Sequence, residues 1–238
     1  MPFRQFCIST IFALMLQPML AHAEFAIIND PDGYVNLRDE GSKVVARIEK
    51  NDVFWVWYGE EWQDWNASDK WIAAQTPTDI YGSIAKGHFK LLSELPALPC
   101  KAIAQSYQCL NKNIGVKLTL QKFQAKKHTY TYYIDPDTKI KTTEIKSIDG
   151  KNPYGIDGWL PRTEIAKLEV FRHGQWRTLN IDSIKNYYEL WNQFSTYYDE
   201  KNDLLYIIGD ASDGAGGYSY VIQINQQCIR QSFALNPT

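Results

Sequence analysis

Asp30-Pro31-Asp32-Gly33-Tyr34-Val35-Asn36-Leu37-Arg38-Asp39-Glu40-Gly41-Ser42 sets a five-residue β run between two turn signals. Proline fixes φ, glycine supplies positive φ, and aspartate hydrogen-bonds its own backbone, so the flanks favour turns for separate reasons. Tyr34, Val35 and Leu37 favour the strand between them. The same punctuation recurs on both sides, with short β runs at 25–28, 44–48, 53–58, 62–65, 70–73 and 82–85. Such closely spaced runs imply a small barrel or sandwich.

Ser93-Glu94-Leu95-Pro96-Ala97-Leu98-Pro99 is the clearest break further along. Proline has no N–H to give a ladder, so a linker is expected at 96–99 between units at 24–95 and 100–238. The second unit is also mostly β. Val116, Leu118 and Leu120 alternate with Lys117, Thr119 and Gln121, the period of a half-buried strand. Further runs fall at 128–135, 140–148, 165–171, 175–179, 194–198, 204–209, 218–225 and 228–234. One helix is expected. Asn180 or Asp182 caps it, and Ile184, Tyr187, Tyr188 and Trp191 recur at i, i+3, i+4 and i+7. The expected class is therefore mainly β: a small barrel, then an antiparallel β-rich (α+β) unit with one short helix.

The 238 residues carry a formal charge of −2, with 45% hydrophobic and 14% aromatic side chains. That balance argues against an electrostatic nucleic-acid binder, which needs a basic face. The aromatic and β-branched content argues against long disorder.

Residues 1–23 read as a secretory signal: Arg4, an apolar run over 6–16, and Ala21-His22-Ala23 before Glu24. The run is shorter than the ~20 residues of a membrane span, and Gln17-Pro18 interrupts it. Cys7 stands too early for a lipoprotein. A periplasmic or secreted location follows, with no transmembrane segment after cleavage. Removal takes away Arg4 and no acid, so the charge becomes −3. Cys100, Cys109 and Cys228 remain. Three pairings are open, and an oxidising compartment favours one disulfide with one spare thiol. On a helix, Cys100 and Cys109 would lie about 13 Å apart and could not bond. A bend into a strand allows the bond, and we take the bend as the expectation.

Three stretches of residues 24–95 together resemble the bacterial SH3 (SH3b) family. Gly33-Tyr34-Val35-Asn36-Leu37-Arg38 is similar to its opening strand. Ile48-Glu49-Lys50-Asn51-Asp52 with Trp62-Gln63-Asp64-Trp65 is similar to its central motif. Gly82-Ser83-Ile84-Ala85-Lys86-Gly87-His88-Phe89-Lys90-Leu91 is similar to its closing motif. The resemblance implies a small five-to-seven-strand barrel that binds peptidoglycan or a peptide and is not itself catalytic. Asn51 stands for the usual glycine, Ser83 for a common aromatic and Trp65 for a smaller β-branched residue, and the loop after Arg38 is short.

Five of the eight tryptophans fall between 55 and 71. In the family register Phe54 and Val56 face the core, while Trp55 and Trp57 face outward. Neighbouring exposed indoles need a cover: a sugar, a peptide, a partner or the second unit. Tyr34, Trp55, Trp57, Trp62 and Trp71 are the candidate contacts. A second candidate is Gly209-Asp210-Ala211-Ser212-Asp213-Gly214-Ala215-Gly216-Gly217-Tyr218. It is longer than a hairpin needs, which offers Asp210, Asp213 and Tyr218 to a partner. It lacks the closing glutamate of an EF-hand and the Gly-Lys of a P-loop.

Enzyme signatures are missing. His88, His128 and His173 show no zinc spacing, and no Gly-x-Ser-x-Gly elbow occurs. Asp157, Glu164 and Glu169 are the candidates for an acid–base carboxylate pair. The sequon Asn66-Ala67-Ser68 reads as an ordinary turn. No cofactor and no metal is expected. The leading expectation is an exported non-enzymatic protein binding a peptidoglycan fragment or a peptide. The alternatives are a periplasmic immunity or inhibitor protein and a cell-wall hydrolase.

Overall fold

The computed structural model describes residues 22–58, 70–190 and 193–236. The expected signal over 1–21, the run at 62–65 with Trp62 and Trp65, and Trp191 lie outside them. The strands of the first part are β1 (His22–Ile28), β2 (Tyr34–Arg38), β3 (Val44–Glu49), β4 (Val53–Tyr58), β5 (Trp71–Gln75), β6 (Tyr81–Ala85) and β7 (Phe89–Leu91). They pair antiparallel in the order β3-β2-β6-β5-β4-β1-β7. The sheet is open, with β3 and β7 at its ends. One face nevertheless makes its own core. Ala26, Ile28, Leu37, Ile48, Phe54, Val56, Ala74 and Ile84 form one cluster, joined by Phe89 and Leu91 of the far edge. A single face can do this only by curling, which the right-handed twist of strands promotes. Gly82 permits the tightest approach, because a Cβ there would lie 2.6 Å from the Arg38 carbonyl oxygen. Asn51 takes the positive φ of 68° that its turn requires.

The rest of the chain supplies β8 (Cys100–Ile103), β9 (Ser106–Leu110), β10 (Ile114–Lys122), β11 (Tyr130–Ile134), β12 (Lys141–Ile148), β13 (Thr163–Arg172), β14 (Gln175–Thr178), β15 (Ser195–Asp199), β16 (Leu204–Ala211), β17 (Tyr218–Ile224) and β18 (Ile229–Leu235). They form three sheets: β14-β13-β10-β9-β8, β15-β16-β17-β18, and the separate hairpin β11-β12. The first two share a core in which Val116, Leu118 and Leu168 meet Leu205, Ile207, Tyr220 and Ile222. The alternation read over 116–120 is the inward face of β10.

The four-stranded sheet is buried on both faces. Leu205 and Ile207 point one way, and Leu204 and Tyr206 point the other, against Phe25, Ile27, Val53 and Trp55 of the first sheet. All seven residues of β17 are buried. A strand covered on both sides needs apolar side chains at successive positions, not alternate ones. The molecule is thus a stack of three sheets with this one in the middle.

One expectation is corrected. No α-helix occurs among the described residues. The stretch expected to be helical has only a 3-10 turn, Asp182–Ile184. Asn180 Oδ1 accepts the Asp182 N–H at 2.7 Å, as a cap would. Beyond it the backbone pairs sideways: the Tyr154 N–H donates to Asn186 O, and the Tyr188 N–H to Tyr154 O. Glu189 takes a φ of 54°. Ile184, Tyr187 and Tyr188 are buried as expected, but on an irregular strap. The expected linker, 96–99, runs beside β15. Ala97 bridges to Tyr197, and Leu98 N–H donates to Thr196 O. The prolines contribute only carbonyls, Pro96 O accepting Tyr198 N–H and Pro99 O accepting Leu110 N–H.

Candidate functional site

Strand alternation splits the aromatic residues of β4 as the sequence implied. Phe54 and Val56 enter the curled core, and Trp55 and Trp57 face outward. The register pairs Trp57 with Ala73, Trp55 with Gln75, Gln75 with Tyr81, and Ala73 with Ser83. Residues directly opposite share a face. The outward surface of β4, β5 and β6 therefore carries Trp57, Trp71, Ala73, Tyr81 and Ser83. Ala73 and Ser83 are small, and this lets two large rings meet across β5. Trp57 and Tyr81 stack with centroids 6.1 Å apart and planes 19° from parallel. Tyr81 is 54% exposed, and Trp71 is half-buried, two residues along β5 from Ala73. At the far edge Tyr34 lies under the Arg47 guanidinium, 3.5 Å from ring centroid to Cζ.

Trp55, an expected contact, has a different setting. It is 6% exposed, packed edge-on to Phe25 at 4.6 Å and to Trp57 at 6.3 Å. Val221, Phe233 and Leu235 of the central sheet cover it. Of the covers an outward indole needs, the chain itself supplies this one. Trp62 lies outside the described residues.

The glycine-rich stretch is a hairpin extension. Ala211 still pairs with Tyr218, and a 3-10 turn, Gly214–Gly216, closes it. Tyr218 is 1% exposed, and its hydroxyl donates to Tyr188 O at 2.8 Å. Burial pushes this phenol well above its ordinary pKa. Asp210 accepts the Ser219 hydroxyl at 2.6 Å. Asp213 is exposed. Beside the turn runs the loop after β12, whose Ile156 backbone lies about 3.1 Å from where a Cβ on Gly216 would sit. This loop carries Trp159, 82% exposed, and Leu160, 47% exposed. The sequence reading missed both Tyr81 and Trp159. Tyr81 had a signal in its place between a turn and Gly82. Trp159 had one in lying among Gly155, Gly158 and Pro161, outside any β run.

Cys100 and Cys109 face each other across β8 and β9 and form the disulfide, with Cα atoms 4.0 Å apart. Cys228 is free and exposed. The three candidate acid–base carboxylates are separately engaged or apart. Glu169 contacts Lys117 at 2.8 Å and Lys167 at 2.7 Å. Glu164 accepts from Gln121 at 2.6 Å and meets His128 Nε2 at 2.8 Å. Asp157 is exposed on the Trp159 loop. The other nitrogen of His128, Nδ1, lies 2.6 Å from Asp149. No group of three or more His, Cys, Asp or Glu side chains is placed to hold a metal among the described residues, and no helix there is long and apolar enough to cross a membrane.

No protein-family model matches the chain, and no curated protein or solved structure matches it. The functional reading rests on the geometry above.

Proposed function

We propose that this protein is an exported, non-enzymatic binding protein of the bacterial periplasm. Residues 24–95 act as an SH3b-like module, and its open aromatic face, built on Trp57, Tyr81 and Trp71, holds a cell-wall fragment or a peptide. The curled sheet with a core from its own inner face supports the module. The Trp57–Tyr81 stack carries the ligand reading: it is a flat, largely rigid aromatic platform beside small residues, with Tyr81 more than half open to water. Such a surface suits the C–H face of a sugar ring or an apolar peptide side chain, and the Tyr81 hydroxyl adds a polar handle. The proposed contact set leaves out Trp55, which packs with Val221, Phe233 and Leu235.

Cosedimentation of the purified protein with insoluble peptidoglycan tests this reading. Tyr81→Ala with Trp71→Ala is expected to weaken binding about tenfold or more, the loss typical of central aromatic anchors, while the melting temperature changes little. Equal binding by wild type and double variant, or none by wild type, removes the proposal.

A second reading, an inhibitor or immunity protein, has one observation in its favour. Trp159 and Leu160 stand exposed on the loop whose Ile156 and Asp157 lie against the 212–217 turn, and exposed tryptophan is a frequent protein-binding anchor. It predicts a one-to-one complex with a toxin or wall hydrolase that Trp159→Ala abolishes and Tyr81→Ala spares.

A further inference from the structure

A cleft of about 670 Å³ opens between the first sheet and the central one. The turn at 29–31, β7, and the turn after β15 form its walls. Ile27 and Leu95 give it an apolar floor, and Lys50, Lys90 and Lys201 stand around it. The volume and the position between two packed units are those of small-molecule sites.

The charges in the cleft are unequally compensated. Its two carboxylates have partners. Asp30 is paired with His88 and accepts the Asp32 N–H at 2.8 Å. Asp199 accepts from the Asn202 backbone at 3.3 Å and from its side-chain amide at 2.5 Å. The three lysines have none. Among the described residues no ion pair or side-chain hydrogen bond engages Lys50, Lys90 or Lys201. Three like charges facing one cleft repel each other and raise the local concentration of anions. They also come from separate parts of the chain: Lys50 and Lys90 from the first sheet, Lys201 from the central one. A ligand held by all three must span the seam.

We propose that this cleft is a second binding site, distinct from the aromatic face, for a small molecule with two or more anionic groups of phosphate or carboxylate type. Its anionic groups meet Lys50, Lys90 and Lys201, and its apolar part lies on Ile27 and Leu95. The ligand ties the first sheet to the central one, so binding also stabilises the fold by mass action.

Titration calorimetry and thermal shift at low salt test this on the whole protein, with pyrophosphate in one arm and citrate in the other. The wild type is expected to bind at least one of them saturably, and the preferred arm separates phosphate from carboxylate chemistry. Lys50→Gln/Lys90→Gln/Lys201→Gln is expected to lose about tenfold or more in affinity. Lys101→Gln/Lys112→Gln/Lys146→Gln removes the same charge from exposed lysines elsewhere and is expected to bind as wild type. Absence of saturable binding in both arms overturns the proposal, and so does an equal loss in the two triple variants, which would mean diffuse attraction. The Tyr81→Ala/Trp71→Ala protein is expected to keep its anion affinity, so failure of one site leaves the other standing.

Discussion

Gly155 shows how much a single residue decides. Its φ is +89°, and a Cβ there would run into the Tyr188 carbonyl oxygen and lie 2.9 Å from the Tyr218 ring. That same carbonyl accepts the Tyr218 hydroxyl. One missing methyl group thus lets the 153–156 strand-like segment lie against the buried tyrosines. Gly155→Ala must strain the backbone and displace a buried hydrogen bond at once. We expect a loss of at least about 2 kcal/mol, seen as a lower urea midpoint with an unchanged slope. Trp55 and Tyr81 make the complementary contrast. Both point outward from the first sheet, but only Trp55 is buried. Trp55→Ala is expected to cost about 3–5 kcal/mol, and Tyr81→Ala about 1 kcal/mol or less, in the same denaturation experiment.

At the scale of elements, the β11-β12 hairpin pairs with neither large sheet, so it depends on what holds its base. Ile145 and Ile148 pack with Phe123 and Tyr188, and Phe123 stacks on His128 at 4.6 Å. His128 then bridges Asp149, just after β12, to Glu164 on β13. Both ring nitrogens face carboxylates. Tyr130 and Tyr188 are the other titratable groups near these carboxylates. Asp149 is partly buried, which raises its pKa, but the Thr129 N–H and His128 outweigh this and hold it below the ordinary range. Its contribution is therefore complete above about pH 4 and is lost as pH falls through the folded value. His128→Gln is expected to speed amide exchange over 130–148 several-fold while leaving β16 and β17 protected. Uniform acceleration across the molecule would mean that the clamp is not local. At the edge of the five-stranded sheet, the Cys100–Cys109 bond closes a short loop. Reducing it is expected to lower stability by about 2–3 kcal/mol on the chain-entropy model, measured by denaturation with and without reductant.

For the whole molecule, the central sheet joins everything. On one side Tyr218, Tyr220 and Ile222 meet the five-stranded sheet. On the other, Gln223 donates to Asn51 O at 2.7 Å, and the Gln231 side chain accepts the Val53 N–H at 2.9 Å. The stack therefore buries many phenols. Burial raises Tyr187, Tyr188, Tyr218 and Tyr220, and pushes Tyr206 up to about 12. In the unfolded chain these phenols ionise near pH ~10. The stability they contribute is thus complete below about pH 10 and is lost as pH rises through the folded values. We expect alkaline unfolding above about pH 10 in which phenolate absorbance and loss of β structure rise together. Phenolate appearing well before unfolding would contradict this.

Much of this was legible in the residues. Turn chemistry and two-residue alternation placed most strands, because both act over a few neighbours, but not β7, β8 or β9. Asn51 at a left-handed turn and the split of Phe54 and Val56 from Trp55 and Trp57 follow from the same local rules. The short bend that joins Cys100 to Cys109 was foreseen as well. Other features were settled only by tertiary structure. The stretch after Asn180 has a helical pattern, yet it lies as a strap because Tyr154 competes for its backbone. The prolines at 96 and 99 signal a break, yet the chain between them pairs with β15. Trp55 and Trp57 are equivalent in sequence, and only the packing of the central sheet buries Trp55 fully and Trp57 in part. Local preferences fix where strands run and which way side chains point, whereas long-range packing decides which outward faces stay open to a partner.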